Sequence, residues 1–188
     1  MQKYIKYNTK NCSIMKEIRW HGRGGQGAVS SAYILAMAAF KDGKYSQAFP
    51  FFGTERRGAP VVAFTRIDDK FIRTREQIYN PNYVVVLDPT LIGVVDVTEG
   101  LSKDELIVIN TNQKVNLNAK VKIVDATSIA LEIIGKPFVN TPMIGALVGA
   151  TDIVSLKSVI EAIKERFPPE LAEKNIEAVK RTYEEIRK

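Results

Sequence analysis

Gly22, Gly24, Gly25 and Gly27 put four glycines into six residues between a short apolar strand, Ile18-Arg19-Trp20-His21, and a long helix of small residues reaching Phe40. Gly22, Gly24 and Gly27 keep the G-x-G-x-x-G spacing, and Gly25 is an addition to it. The chemistry such a turn can do is anion binding. Glycine reaches positive φ and, lacking a Cβ, lets a diphosphate come up against the backbone. The open N–H groups and positive dipole end of the next helix then face the charge. A tight strand-to-helix turn without any ligand is the structural alternative. A nicotinamide site would add an Asp or Glu about 20 residues on, at the end of the second strand. That strand, residues 44–49, ends without an acid, and Asp42 falls in the Asp42-Gly43 turn before it. The glycine turn is therefore read as an anion-binding or subunit-contact turn.

Residues 47–60, QAFPFFGTERRGAP, form the second stretch with chemical capacity. Glu55, Arg56 and Arg57 stand between Gly53 and Gly58. Two guanidinium forks suit a carboxylate or phosphate, whereas a solvated turn in which Glu55 neutralises one arginine would also account for them. His21 ends the strand that enters the glycine turn, so it is either a general acid or base meeting a ligand or a structural imidazole bonded to the loop backbone. Asp88 follows an apolar strand, where open α/β sheets bind ligands, and it equally suits a cap on the next helix; the cap is preferred. No nucleophile elbow, H-E-x-x-H or Walker motif is present.

The 188 residues, 45% of them apolar, provide for one core and one domain. Cys12 is the only cysteine and His21 the only histidine, which excludes a disulfide framework, a cysteine-held cluster or a zinc site built by this chain alone. The formal charge is +6, and Lys3, Lys6 and Lys10 in the polar leader supply half of it. Nucleic-acid binding is not indicated. Residues 1–14 read as a flexible leader or an upstream extension of a chain starting at Met15, and residues 15–188 as the single domain. With neither a signal peptide nor a membrane span, a cytoplasmic location is expected.

The elements that must carry these residues alternate. A helix from Val29 to Phe40 follows the turn. Residues 61–67 and 70–73 read as a hairpin about Asp68-Asp69, with Arg66, Arg73 and Arg75 as solvated charges on a sheet edge. Residues 83–87 form a central parallel strand leading into a helix over 90–96, and strands follow at 106–111 and 121–125. Helices are expected to open at Asp125, at Thr141 with Pro142, and at Ser155. Gly145, Ala146, Gly149 and Ala150 make one helix flank smooth enough for another backbone to approach, and the last helix carries a seam of Ala172, Ile176, Val179, Tyr183 and Ile186. The fold class is α/β: a three-layer α/β/α sandwich on a mostly parallel, mixed, Rossmann-like sheet.

Four separate motifs, IRWHGRGGQGAVSSA, GKYSQAFPFFGTERRGAPVVAFTRID, NPNYVVVLDPTL and NTPMIGAL, stand in this order from Lys16 onward. Together they resemble the gamma subunit of the 2-oxoacid:ferredoxin oxidoreductases, nearest to the pyruvate and 2-ketoisovalerate enzymes. The resemblance implies a complex with alpha, beta and delta subunits that converts a 2-oxoacid and coenzyme A (CoA) to acyl-CoA and CO2, passing electrons to ferredoxin. Thiamine diphosphate, Mg and iron–sulfur clusters would belong to the other subunits, and this chain alone would hold no catalytic residue and no cofactor. Gly22, Gly24, Gly25 and Gly27 with Gln26 would face a diphosphate or a neighbouring subunit. Arg23, Arg56 and Arg57, beside Glu55 and Gly58, would bring positive charge to an anionic ligand.

Overall fold

The run Val84-Val85-Val86 is buried on both sides, and it sets the middle of the sheet. In the computed structural model, residues 15–51 and 58–188 are described. Six strands are present among them: β1 (Lys16–Arg23), β2 (Tyr45–Pro50), β3 (Pro60–Asp68), β4 (Tyr83–Val86), β5 (Leu106–Asn110) and β6 (Lys120–Val124). Their order is β2-β3-β1-β4-β5-β6. β1, β4, β5 and β6 are successively parallel, while β3 runs antiparallel between β1 and β2. The sheet is thus mixed and mostly parallel, as expected.

Alternation along the strands divides the core. Ile18, Trp20, Val85 and Val108 face the helices α1 (Ala28–Lys41), α2 (Ala126–Ile133), α3 (Asn140–Thr151), α4 (Leu156–Arg166) and α5 (Pro169–Arg187). Val84, Val86, Ile107 and Ile109 point the other way, under Leu91 and Val97. The layer on that second face is one 3-10 turn, Pro89–Leu91, and irregular chain.

Tight packing follows from the small residues of α3. A Cβ on Gly145 would stand 2.3 Å from the Val179 carbonyl oxygen, and one on Gly149 would stand 2.6 Å from that of Tyr183. The smooth flank and the C-terminal seam are therefore partners of each other: α5 lies on α3 within one chain. Ser155 caps α4 as expected, its Oγ accepting from Ser158 N at 3.1 Å. Asp42 supports the same helix start from a distance, accepting from Ser155 N at 2.6 Å, Ser155 Oγ at 2.7 Å and Ser158 Oγ at 2.6 Å.

The structure corrects three local expectations. Residues 70–73 form no strand, because both sides of β3 are taken by β1 and β2. Arg66 consequently lies inside the sheet and is 1% exposed, whereas Arg73 and Arg75 are exposed. Its Nε pairs with Glu17 Oε1 at 2.7 Å, Nη2 donates to the carbonyls of Glu76 and Gln77, and the guanidinium lies 5.1 Å from the Phe49 ring centroid. Thr141 does not cap α3. It is buried one residue inside the helix and donates to Asn175 Oδ1, so a tertiary contact claims the hydroxyl. The helix expected over 90–96 shrinks to the single 3-10 turn, which Asp88 caps through Thr90 N at 3.0 Å.

Candidate functional site

The glycine turn lies where β1 ends. After β1 the chain crosses to β2 on one side of the sheet, and β4 occupies the other side. The carboxyl ends of β1 and β4 therefore flank a topological switch point, the place where open α/β sheets form a crevice. The turn stands on one lip of that crevice and Asp88 on the other.

Gly25 and Gly27 take φ of 96° and 82°, conformations that L side chains rarely adopt. Gly27 is the N-cap of α1 and offers no side chain, so the first amides of the helix remain open to an anion. The turn is otherwise braced. Gly24 N donates to Ala59 O at 2.9 Å, Gly58 N donates to Gly24 O at 3.2 Å, and Gln26 N donates to Arg23 O at 2.9 Å. Gln26 spans the crevice, its Oε1 accepting from Arg23 N and its Nε2 donating to Asp88 Oδ2, each at 2.7 Å.

Arg23 is held on three sides. Its Nη1 donates to Gly58 O at 3.1 Å, and Nε and Nη2 donate to Thr90 Oγ1 at 3.1 and 2.8 Å. Thr90 Oγ1 donates in turn to Asp88 Oδ1 at 2.6 Å. Burial opposes ionisation of Asp88; hydrogen bonds from the Thr90 hydroxyl, the Gln26 amide and Thr90 N, with the Arg23 charge, outweigh it and keep the carboxyl below its ordinary range. The arginine presented at the crevice is thus already oriented and partly neutralised.

The structure brings Gly22, Arg23, Gly24, Gly25, Gln26, Gly27 and Gly58 together with Asp88. Glu55, Arg56 and Arg57 lie outside the described residues. Asp88 is both the expected cap and a member of the crevice. Thr90 escaped the sequence reading, although Asp88-Pro89-Thr90 has the form of an Asx turn whose third residue returns to the carboxylate.

Among the described residues the His21 ring makes no bond to the loop backbone. Its Nε2 accepts from Arg19 Nε at 3.1 Å. Burial, and then the Arg19 charge, push its pKa down to about 3, so the ring is neutral and a weak base at ordinary pH. Among the described residues no group of three or more His, Cys, Asp or Glu is placed to hold a metal.

Fold and crevice together define an α/β domain with a glycine turn and an uncapped helix start at its switch point. The family model for pyruvate ferredoxin/flavodoxin oxidoreductase matches residues 17–185. The chain belongs to that family, as a gamma-type subunit. It is 61% identical over 175 residues to pyruvate synthase subunit PorC of Methanothermobacter thermautotrophicus, a match covering 93% of this chain and 97% of that one. It is 57% identical over 178 residues to the pyruvate/ketoisovalerate oxidoreductases common subunit gamma of Thermococcus litoralis, covering 90% and 96%. The crystal structure of pyruvate oxidoreductase subunit PORC from Thermotoga maritima superposes with a TM-score of 0.80 at 44% identity, covering 90% of this chain and 96% of that one.

Proposed function

We propose that this chain is the CoA-facing gamma subunit of a cytoplasmic pyruvate:ferredoxin oxidoreductase complex with alpha, beta and delta partners. The complex converts a 2-oxoacid and CoA to acyl-CoA and CO2 while reducing ferredoxin. Pyruvate is the substrate that the relatives' names support, and a branched-chain 2-oxoacid is the other. Thiamine diphosphate, Mg and iron–sulfur clusters fit the partner subunits, since one cysteine cannot supply a four-thiolate cluster site. No helix among the described residues is long and apolar enough to cross a membrane, which accords with a cytoplasmic complex.

One observation carries the CoA assignment. Gly58 N donates to Gly24 O, so the arginine-bearing loop ends on the glycine turn. Gly58, which follows Arg57 in the sequence, thus stands at the same crevice as Arg23 and the uncapped start of α1. A diphosphate in that crevice receives helix amides and guanidinium donors together. The chain's part is to bind and orient the thiol-bearing cofactor, and the chemistry belongs to the partners.

The test is kinetic. In the assembled enzyme, Arg56→Ala with Arg57→Ala, or Arg23→Ala, is expected to raise the KM for CoA by about tenfold or more, the effect of losing a charged hydrogen bond, with the 2-oxoacid KM unchanged. Unchanged CoA kinetics in all of these variants would remove the ligand role.

A further inference from the structure

The two edges of the sheet differ. β6 carries Lys120 and Lys122, charges of the kind that discourage an added strand. β2 forms the other edge as Tyr45-Ser46-Gln47-Ala48-Phe49-Pro50, with no charged side chain. Phe51 N donates to Val62 O at 2.9 Å, which sets the phase of the ladder: Tyr45, Gln47 and Phe49 turn their N–H and C=O groups inward to β3. Ser46 and Ala48 turn theirs outward, and among the described residues these groups have no partner.

Apolar surface continues from this edge on both faces. Tyr33, Met37 and Phe40 stand at i, i+4 and i+7 along α1, and with Ser46 and Ala48 they line a cleft of about 570 Å³. Phe40 is 75% exposed. The neighbouring charge is cancelled within the chain, since Lys41 Nζ lies 2.7 Å from Glu165 Oε2. On the opposite face Phe49, Pro50, Phe51 and Arg75 line a cleft of about 560 Å³. Tyr45 stands edge-on to Phe71 on this strand, with ring centroids 5.9 Å apart and both rings exposed.

The ends of the open ladder select its occupant. Pro50 has no N–H, and the Lys44 N–H is already bound to Ala39 O at 3.0 Å. A foreign strand running past either end would find no donor there. A second copy related by a two-fold axis through Gln47 asks for none: its Ala48 lies opposite Ser46, and its Lys44 lies opposite Pro50. Ser46 and Ala48 then each donate to and accept from the other copy. An axis through Ala48 would instead set Ser46 against Pro50 and leave the Ser46 carbonyl without a donor. In the Gln47 register Tyr45 falls opposite Phe49 of the second copy, an aromatic cross-strand pair beside Arg75. The α1 stripes of the two copies meet antiparallel on the other face. We infer that β2 pairs with β2 of a second copy of this chain, joining two six-stranded sheets into one. The gamma subunit is then a joint at which the assembly doubles, a role that goes beyond the proposed function and rests on the sheet edge alone.

The test is the mass of the full chain by analytical ultracentrifugation, with far-UV circular dichroism as the check on folding. The parent chain is expected to be a dimer. Phe40→Asp charges an exposed position, and Ala48→Pro removes an outward N–H while sparing the ladder with β3, as edge strands permit. Both are expected to give folded monomers. Register is read by cysteines in a Cys12→Ser background, since Cys12 is the only native one. Gln47→Cys faces itself across the axis at about 4.5 Å between Cα atoms and is expected to form a disulfide between copies on mild oxidation. Ala48→Cys lies a diagonal step of ~7–8 Å from its own copy and is expected to stay reduced. A monomeric parent overturns the inference, as does a dimer that survives both Phe40→Asp and Ala48→Pro. Gln47→Cys crosslinking to a different subunit in the assembled complex overturns it too, and gives the edge to that subunit. The CoA kinetics of the arginine variants are independent of these outcomes and judge the proposed function separately.

Discussion

Arg23 Nε and Asp88 Oδ2 face each other at 3.2 Å across the crevice between β1 and β4. The carboxylate therefore competes with any anion for the arginine nearest the glycine turn. Asp88→Asn keeps the shape of the side chain and removes its charge. It is expected to lower the KM for CoA in the complex about two- to fivefold, the scale of a partly exposed ion pair. An increase in that KM would show that Asp88 favours the ligand instead.

His21 predicts a pH dependence of stability. Its ordinary pKa of 6.5 is lowered in the fold to about 3, by burial and then by Arg19. The unfolded chain thus binds a proton that the folded chain refuses, and the stability derived from the neutral ring is complete above about 6.5 and lost as pH falls towards 3. Asp42 and Asp88 are also held below their ordinary 3.8, so they add a loss only in more acidic solution. Urea midpoints should therefore fall between pH 6.5 and 4, a slope that vanishes in a folded His21→Gln variant. A midpoint flat over that interval in the parent chain would contradict the assignment.

The contact between α3 and α5 can be probed at one atom. Gly145→Ala drives a methyl against the Val179 carbonyl and the Thr182 hydroxyl, at 2.3 and 2.5 Å. Overpacking of this kind costs about 1–3 kcal/mol, and a backbone carbonyl gives less ground than a side chain. Denaturant unfolding of the full chain would read the loss. Stability equal to that of the parent would mean that α5 is displaceable.

Glu17 and Arg66 form an ion pair in the antiparallel half of the sheet, the guanidinium buried and the carboxylate partly exposed. Glu17→Gln leaves the guanidinium interior with its charge uncompensated. A loss of about 1–3 kcal/mol is expected, smaller than for a fully buried pair because the carboxylate side is partly exposed. Measured by the same unfolding experiment, a loss below about 1 kcal/mol would show that the peptide carbonyls and the Phe49 ring suffice to hold the charge.

Local patterns carried most of the fold because most of its elements announce themselves locally. The three valine- and isoleucine-rich parallel strands β4, β5 and β6, the Asp125 and Ser155 caps and the glycine turn all depend on neighbours in sequence. β3 does not. Asp68-Asp69 followed by an alternating segment has the local form of a hairpin, yet register with β1 and β2 consumes both edges of β3, and only long-range pairing decides that. The same pairing turns Arg66 from an edge charge into an interior one. Thr141 shows the limit for caps: two residues of difference at the start of α3 move its hydroxyl from the helix end to Asn175. At the site, the glycines and Arg23 were legible from spacing and residue type. Their dependence on Asp88 and Thr90 was not, since those residues arrive from the end of a strand more than sixty positions away.

The most direct measurement is a mild affinity purification of this chain from its native host, followed by an anaerobic assay of pyruvate- and CoA-dependent reduction of ferredoxin or a viologen dye. The account predicts that iron–sulfur and thiamine-binding partners come with the chain and that the pool reduces the acceptor only when both pyruvate, or a branched-chain 2-oxoacid, and CoA are supplied. Recovery of the chain alone, folded and inactive with every 2-oxoacid, would contradict it.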